Sequence, residues 1–162
     1  MHPFVGVVMG SDSDWETMGK AVSILEQLGI GCEARIISAH RNPTDAAEYA
    51  SGAAARGAVA IIAGAGRAAH LPGVLASYTN LPVVGVPIGG GPLAGVDALY
   101  AIVQMPAGIP VATMAIDGAC NAGLFVAQMM AVNDAALRAK LEDYRRNMAA
   151  GVRAKDEKLQ LR

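Results

Sequence analysis

Val5-Gly6-Val7-Val8-Met9-Gly10-Ser11-Asp12-Ser13-Asp14-Trp15 passes from an apolar, β-branched run, through Gly10 and small polar residues, into a helical pattern. Apolar residues then recur at Trp15, Met18, Val22 and Leu25, the three-and-four spacing of a helix. Ser13 to Glu16 fits a capping box, with the Ser13 hydroxyl on the Glu16 amide and the Glu16 carboxylate reaching back. A buried strand that runs through a Gly turn into a capped helix builds an anion site, because free amides and the helix dipole face the strand's end. The plainer reading is a well-capped first helix with no ligand. No Gly-Lys-Ser/Thr follows, so this is not a Walker loop, and the second and third glycines of a dinucleotide fingerprint are missing. Ser11, Ser13 and Asp14 supply hydroxyls and a carboxylate instead, a set suited to a phosphate and a sugar hydroxyl.

Outward from this stretch, strand and helix patterns alternate. Cys32–Ile37 reads as a second strand, with Ser38-Ala39-His40-Arg41 at its end. Asn42 and Pro43 then cap and open a helix with an Ala face at Ala46, Ala47, Ala50 and Ala54. Ala58–Ala63 is a fully apolar third strand, followed by the small-residue loop Gly64–Gly73. Val74, Leu75 and Tyr78 mark a short helix, and Val83–Val86 a fourth strand. The Gly89-Gly90-Gly91 loop precedes a helix marked by Val96, Leu99, Tyr100 and Val103. Val111–Ile116 reads as the fifth strand, Asn121–Met130 as a buried helix. Asp134 starts a last helix with Leu137, Leu141, Tyr144 and Met148 on one face. Its charged tail is either solvated or laid on a neighbouring subunit.

Five strands alternating with helices imply a doubly wound parallel α/β sheet. Right-handed crossovers set every strand's carboxyl end on one edge. The Gly10, Ser38–Arg41, Gly64–Gly73 and Gly89 loops therefore converge where open sheets bind ligands.

The 162 residues are 53% hydrophobic, 17% charged and 4% aromatic, with net charge −1. One domain over 1–162 is expected, with a helical tail from about 133. Long apolar strands and few charges suit a sheet covered on both faces, and an oligomer. The charge balance gives no basic footprint for nucleic acid. Gly and Pro cut the apolar runs short of a spanning helix, and no signal peptide precedes Val5, so no membrane role and a cytoplasmic location are expected. Cys32 and Cys120 match no metal spacing and read as free thiols.

Beyond His2 near the start, His40 and His70 are the only histidines, and each follows a strand. Imidazole suits proton transfer near neutral pH, although His70 could simply cap the helix that begins near Leu71. Arg41 could hold a phosphate or carboxylate through a bidentate contact, or form a rim salt bridge. No nucleophile elbow is present, and two histidines do not make a metal site. Proton- or carbon-transfer chemistry on a phosphorylated small molecule, without a metal, fits this set.

Val8–Trp15, Ser38–Pro43, Ala63–Gly66 with Ala68–Gly73, Gly85–Pro87 and Ile102–Pro106 together resemble the PurE family of purine biosynthesis. The family comprises N5-carboxyaminoimidazole ribonucleotide mutases and aminoimidazole ribonucleotide carboxylases. The resemblance implies a flavodoxin-like three-layer sheet, a homo-octamer and no cofactor. It makes His40 the general acid/base. Ser11 and Arg41 would hold phosphate, Asp14 ribose hydroxyls, and Gly66, Ala68 and His70 would surround the carboxylate and ring. Ser13, Ser38, Ala39 and Leu71 complete the expected substrate contacts. Two departures stand out. Arg67 replaces a usual Gly, which resembles the carboxylase branch, and Ile116–Asn121 is shorter than in many mutases. The remaining motifs favour the mutase, and turn Arg67 outward toward an acidic group across an interface. Rival readings are a carboxylase that uses CO2 directly, a carboxylase acting on a pyridine nucleotide, which Ser11–Trp15 disfavours, and a non-catalytic nucleotide- or flavin-binding module, which low aromatic content disfavours.

Overall fold

The computed structural model describes residues 3–161; His2 lies outside them. Five parallel strands, β1 (Phe4–Met9), β2 (Gly31–Ile36), β3 (Ala58–Gly66), β4 (Val83–Ile88) and β5 (Ala112–Thr113), form one sheet in the order β2-β1-β3-β4-β5. This is the flavodoxin-like order, which reverses direction between β1 and β3. Six helices accompany the strands: α1 (Trp15–Leu28), α2 (Pro43–Ala53), α3 (Leu71–Ser77), α4 (Val96–Val103), α5 (Ala119–Ala131) and α6 (Ala135–Gln160).

The chain comprises two compact units, Met1–Val126 and Ala127–Arg162. The boundary falls inside α5, a few residues before the tail expected from about 133. In the first unit, α2, α3 and α4 cover one sheet face through Ala46, Tyr49, Ala50, Leu71, Leu75, Ala98 and Ile102. The start of α5 meets α1 at Gly123, where an added Cβ would stand 2.4 Å from Ile24. In the second unit Leu137 and Leu141 of α6 are buried, whereas Met148, Val152 and Leu159 are exposed.

Central strands read as apolar runs because both their faces are covered, and Val5, Val7, Val8, Ile61, Ile62, Val84 and Val86 are fully buried. β2 is an edge strand and mostly exposed. Several sequence-derived boundaries shift. β3 runs through Gly66, so the glycine segment begins as strand, and β4 runs on to Ile88. β5 keeps only two of the six residues expected.

The buried faces of two helices differ in part from the apolar residues whose spacing marks them. α1 buries Met18, Ala21, Ile24, Leu25 and Leu28, while Trp15 is half exposed. α4 buries Ala98 and Ile102 and leaves Val96, Tyr100 and Val103 exposed. Ala98 and Ile102, four residues apart, form the inward stripe, and Ile102 packs directly over Gly85 of β4.

Candidate active site

The first wall of the site follows β1. Ser11, not Ser13, is the capping residue, and the box lies two residues earlier than the sequence reading puts it. The Ser11 amide donates to Asp14 Oδ2 at 3.1 Å, and the Ser13 amide to Ser11 Oγ at 3.3 Å. A short 3-10 turn over Asp12–Asp14 precedes α1, which explains the displacement. Burial pushes the Asp14 carboxyl above its ordinary 3.8, against the opposing pull of the Ser11 and Gly10 amides and the Ser13 hydroxyl.

After β2 the chain forms a tight turn. The Ser38 amide donates to Asn42 Oδ1 at 2.7 Å, and Asn42 Nδ2 to Asp45 Oδ2 at 2.7 Å. Asn42 occupies the cap position of α2, but its side chain braces this turn and does not cap the helix. The Arg41 amide donates to Ser38 Oγ at 3.3 Å, so His40 stands on the turn's exposed crest.

After β3, Arg67 adopts a left-handed φ of +54°, a conformation uncommon outside glycine. The chain then folds sharply, with the Ala69 amide donating to Arg67 O at 2.8 Å. His70 precedes α3 without capping it through its side chain. Its Nδ1 instead lies 2.8 Å from His40 Nε2, with the two rings edge to face at 81°.

These turns, with the Gly89–Gly91 loop after β4, enclose a cavity of about 430 Å³. Every expected site residue lines it: His40, Ser11, Ser13, Asp14, Ser38, Ala39, Arg41, Gly66, Ala68, His70 and Leu71. The cavity sits at the carboxyl ends of β1 and β3, where the strand order reverses, the place open α/β sheets bind ligands. Gly10, Ala65, Ile88, Gly89, Gly90 and Gly91 also line it. Their signal in the sequence is position alone, each lying at a strand end.

Arg67, expected to turn outward toward an acidic group across an interface, also borders this space. Among the described residues it has no acidic partner in this chain. Asp117 is a residue the reading missed. Its Oδ1 accepts from the Gly89 amide at 2.8 Å, while its own amide donates to Pro87 O at 2.8 Å. Among the described residues no group of three or more His, Cys, Asp or Glu side chains could hold a metal ion.

Comparisons with known proteins bear on this geometry. Residues 4–151 match a family described as AIR carboxylase. A Mycobacterium tuberculosis protein called N5-carboxyaminoimidazole ribonucleotide mutase is 52% identical over 159 residues, spanning 98% of this chain and 91% of its own. An Aquifex aeolicus protein of the same name is 58% identical over 132 residues, 82% of this chain and 79% of its own. Among solved structures, Treponema denticola PurE is similar with a TM-score of 0.87 and 28% identity, covering 98% of this chain and 99% of that one.

Proposed function

The chain belongs to the AIR carboxylase family, and from that premise we propose that it is the mutase converting N5-carboxyaminoimidazole ribonucleotide to 4-carboxy-5-aminoimidazole ribonucleotide in purine biosynthesis. The observation that carries this is the His40–His70 pair, 2.8 Å apart, in a cavity walled by hydroxyls, a carboxylate and glycine backbone. High identity to proteins named as mutases favours this branch over direct carboxylation.

In this scheme Ser11 and Arg41 hold the phosphate and Asp14 accepts from ribose hydroxyls. Ser13, Ser38, Ala39 and Leu71 shape the same walls, and Gly66, Ala68 and His70 surround the ring and carboxylate. The carbamate C–N bond breaks, its electron pair goes to the exocyclic nitrogen, and protonated His40 gives that nitrogen a proton. Ring carbon C4 then attacks the released CO2, forming the new C–C bond. His40, now neutral, removes the C4 proton and restores the aromatic ring, so no proton is gained or lost overall. Close walls keep CO2 beside C4, which makes recapture effectively intramolecular.

The reading includes assembly into about eight copies with closed symmetry, supported by the exposed apolar face of Val96, Tyr100 and Val103 on α4. It also includes a cytoplasmic location, tested by fractionation. Among the described residues no helix is long and apolar enough to cross a membrane.

The deciding experiment is turnover of the carbamate by purified protein without added bicarbonate. Conversion to the C4 carboxylate is expected. Conversion only of aminoimidazole ribonucleotide with CO2 would place the chain with the carboxylases. Nucleotide binding without turnover would leave a binding module.

A further inference from the structure

Among the described residues three non-glycine residues take a left-handed φ: Arg67 at +54°, Ala94 at +50° and Asp117 at +58°. Such a conformation strains a side-chain-bearing residue and persists where something compensates or uses it. For Asp117 the compensation is visible in its bonds to Gly89 and Pro87. For Arg67 no carboxylate pairs with it among the described residues, yet the residue forms part of the cavity wall. Its Nε comes within 3.4 Å of where a Cβ on Gly91 would stand, so the side chain lies along the Gly89–Gly91 loop that closes the far wall.

Two guanidinium groups therefore border the cavity, Arg41 after β2 and Arg67 after β3, against the single carboxylate of Asp14. A ligand with only a phosphate leaves one of these cations without an anion. A ligand carrying a phosphate and a carboxylate matches both, and planar guanidinium groups suit carboxylate oxygens.

We propose that Arg67 is a specificity-determining residue that recognises the carboxylate on the ribonucleotide's base, so that the cavity distinguishes carboxylated from uncarboxylated ligand. This rests on the mutase reading above. Arg41 anchors what both ligands share, and Arg67 reads what differs. Because Arg67 is exposed, its contribution is a moderate discrimination.

The test measures equilibrium binding of 4-carboxy-5-aminoimidazole ribonucleotide and of 5-aminoimidazole ribonucleotide to wild type, Arg67→Gly and Arg67→Lys, by calorimetry. Glycine is at ease at this φ, so Arg67→Gly folds without added backbone strain. The wild type is expected to bind the carboxylated ligand about tenfold more tightly, the scale of one exposed charge-assisted contact. Arg67→Gly should erase most of that preference and leave the uncarboxylated ligand's affinity within about threefold, with Arg67→Lys in between. Equal weakening of both ligands would make Arg67 a phosphate contact or a loop support and overturn the proposal. An unchanged ratio would overturn it as well. Failure of the wild type to bind either ribonucleotide would overturn the mutase reading, and this inference with it.

Discussion

His40 Nε2 and His70 Nδ1 lie 2.8 Å apart across 30 residues of sequence, at the ends of β2 and β3. One nitrogen must donate and the other accept, which fixes the two rings' tautomers relative to each other. His40→Asn is expected to fold and bind ribonucleotide while losing turnover by about 10²–10⁴-fold, the scale of a lost general acid/base. His70→Asn should cost less, because an amide can still orient His40. Exchange of the C4 proton with deuterated solvent, followed by mass spectrometry, separates the two: it should vanish in the first variant and only slow in the second. Near-normal turnover in folded His40→Asn would remove His40 from the mechanism.

Asp14 gives the site a dependence on pH. Burial raises its folded-state pKa above 3.8, so on acidification it takes up a proton in the folded chain before it would in the unfolded one. Its contribution to folding is therefore most favourable at low pH and is lost as pH rises through the raised value. Binding runs the other way, since a protonated carboxyl accepts less well from ribose hydroxyls. Ribonucleotide affinity should fall on acidification at a pH above the ordinary 3.8, and Asp14→Asn should flatten that limb while weakening binding at neutral pH. An acid limb identical in wild type and variant would take Asp14 out of ligand recognition.

Asp117 holds the Gly89 end of the glycine loop. Asp117→Asn keeps an acceptor oxygen and tolerates the left-handed φ, so it should retain most activity. Asp117→Ala removes the acceptor and keeps the strain. It should raise KM several-fold and speed amide exchange at Gly89, by about tenfold for a loss of about 1.4 kcal/mol in local stability. Protected Gly89 exchange in Asp117→Ala would show that the loop is held by something else.

Behind the sheet, a Cβ on Gly6 would stand 2.5 Å from the Tyr49 hydroxyl oxygen. That hydroxyl is buried and makes no hydrogen bond of ordinary geometry, and burial together with the nearby Glu33 carboxylate pushes its pKa up to about 12. Arg56 stacks over the ring at 4.8 Å and pairs with Glu33 at 3.0 Å. Tyr49→Phe should change stability by less than about 1 kcal/mol, because no bond is lost. Gly6→Ala should cost about 1–3 kcal/mol through overpacking. In the double variant the clashing oxygen is gone, so urea denaturation should give a cost clearly below the sum of the two. Strict additivity would contradict the packing described.

On α4 the exposed Val96, Tyr100 and Val103 form one apolar face. Under the proposed assembly of about eight copies, Tyr100→Asp should reduce the sedimenting mass to a smaller species while circular dichroism stays unchanged. An unaltered large assembly would move the interface elsewhere.

The residues at strand ends were legible because the alternation of apolar runs, glycine turns and capped helices is written in local spacing. From it follow the parallel sheet, the shared carboxyl edge and the group of loops that holds every expected site residue. Local spacing could not say which face of α4 is inward, since apolar residues occupy both and packing over β4 decides. Nor could it shift the cap from Ser13 to Ser11, because either serine satisfies the pattern and the short turn before α1 selects one. β5 reads as a six-residue strand but pairs over two residues, because only Val84 and Gly85 present it with partners.

By itself, the sequence determined the kind of sheet and the edge on which chemistry gathers, through interactions that span a few residues. The tertiary structure alone decided that His40 meets His70, that Asp117 grips Gly89 and that Arg67 enters the cavity wall. Each of these joins segments from different strand ends. Their approach is set by the order β2-β1-β3-β4-β5 and by the tightness of the turns, neither of which any local periodicity encodes.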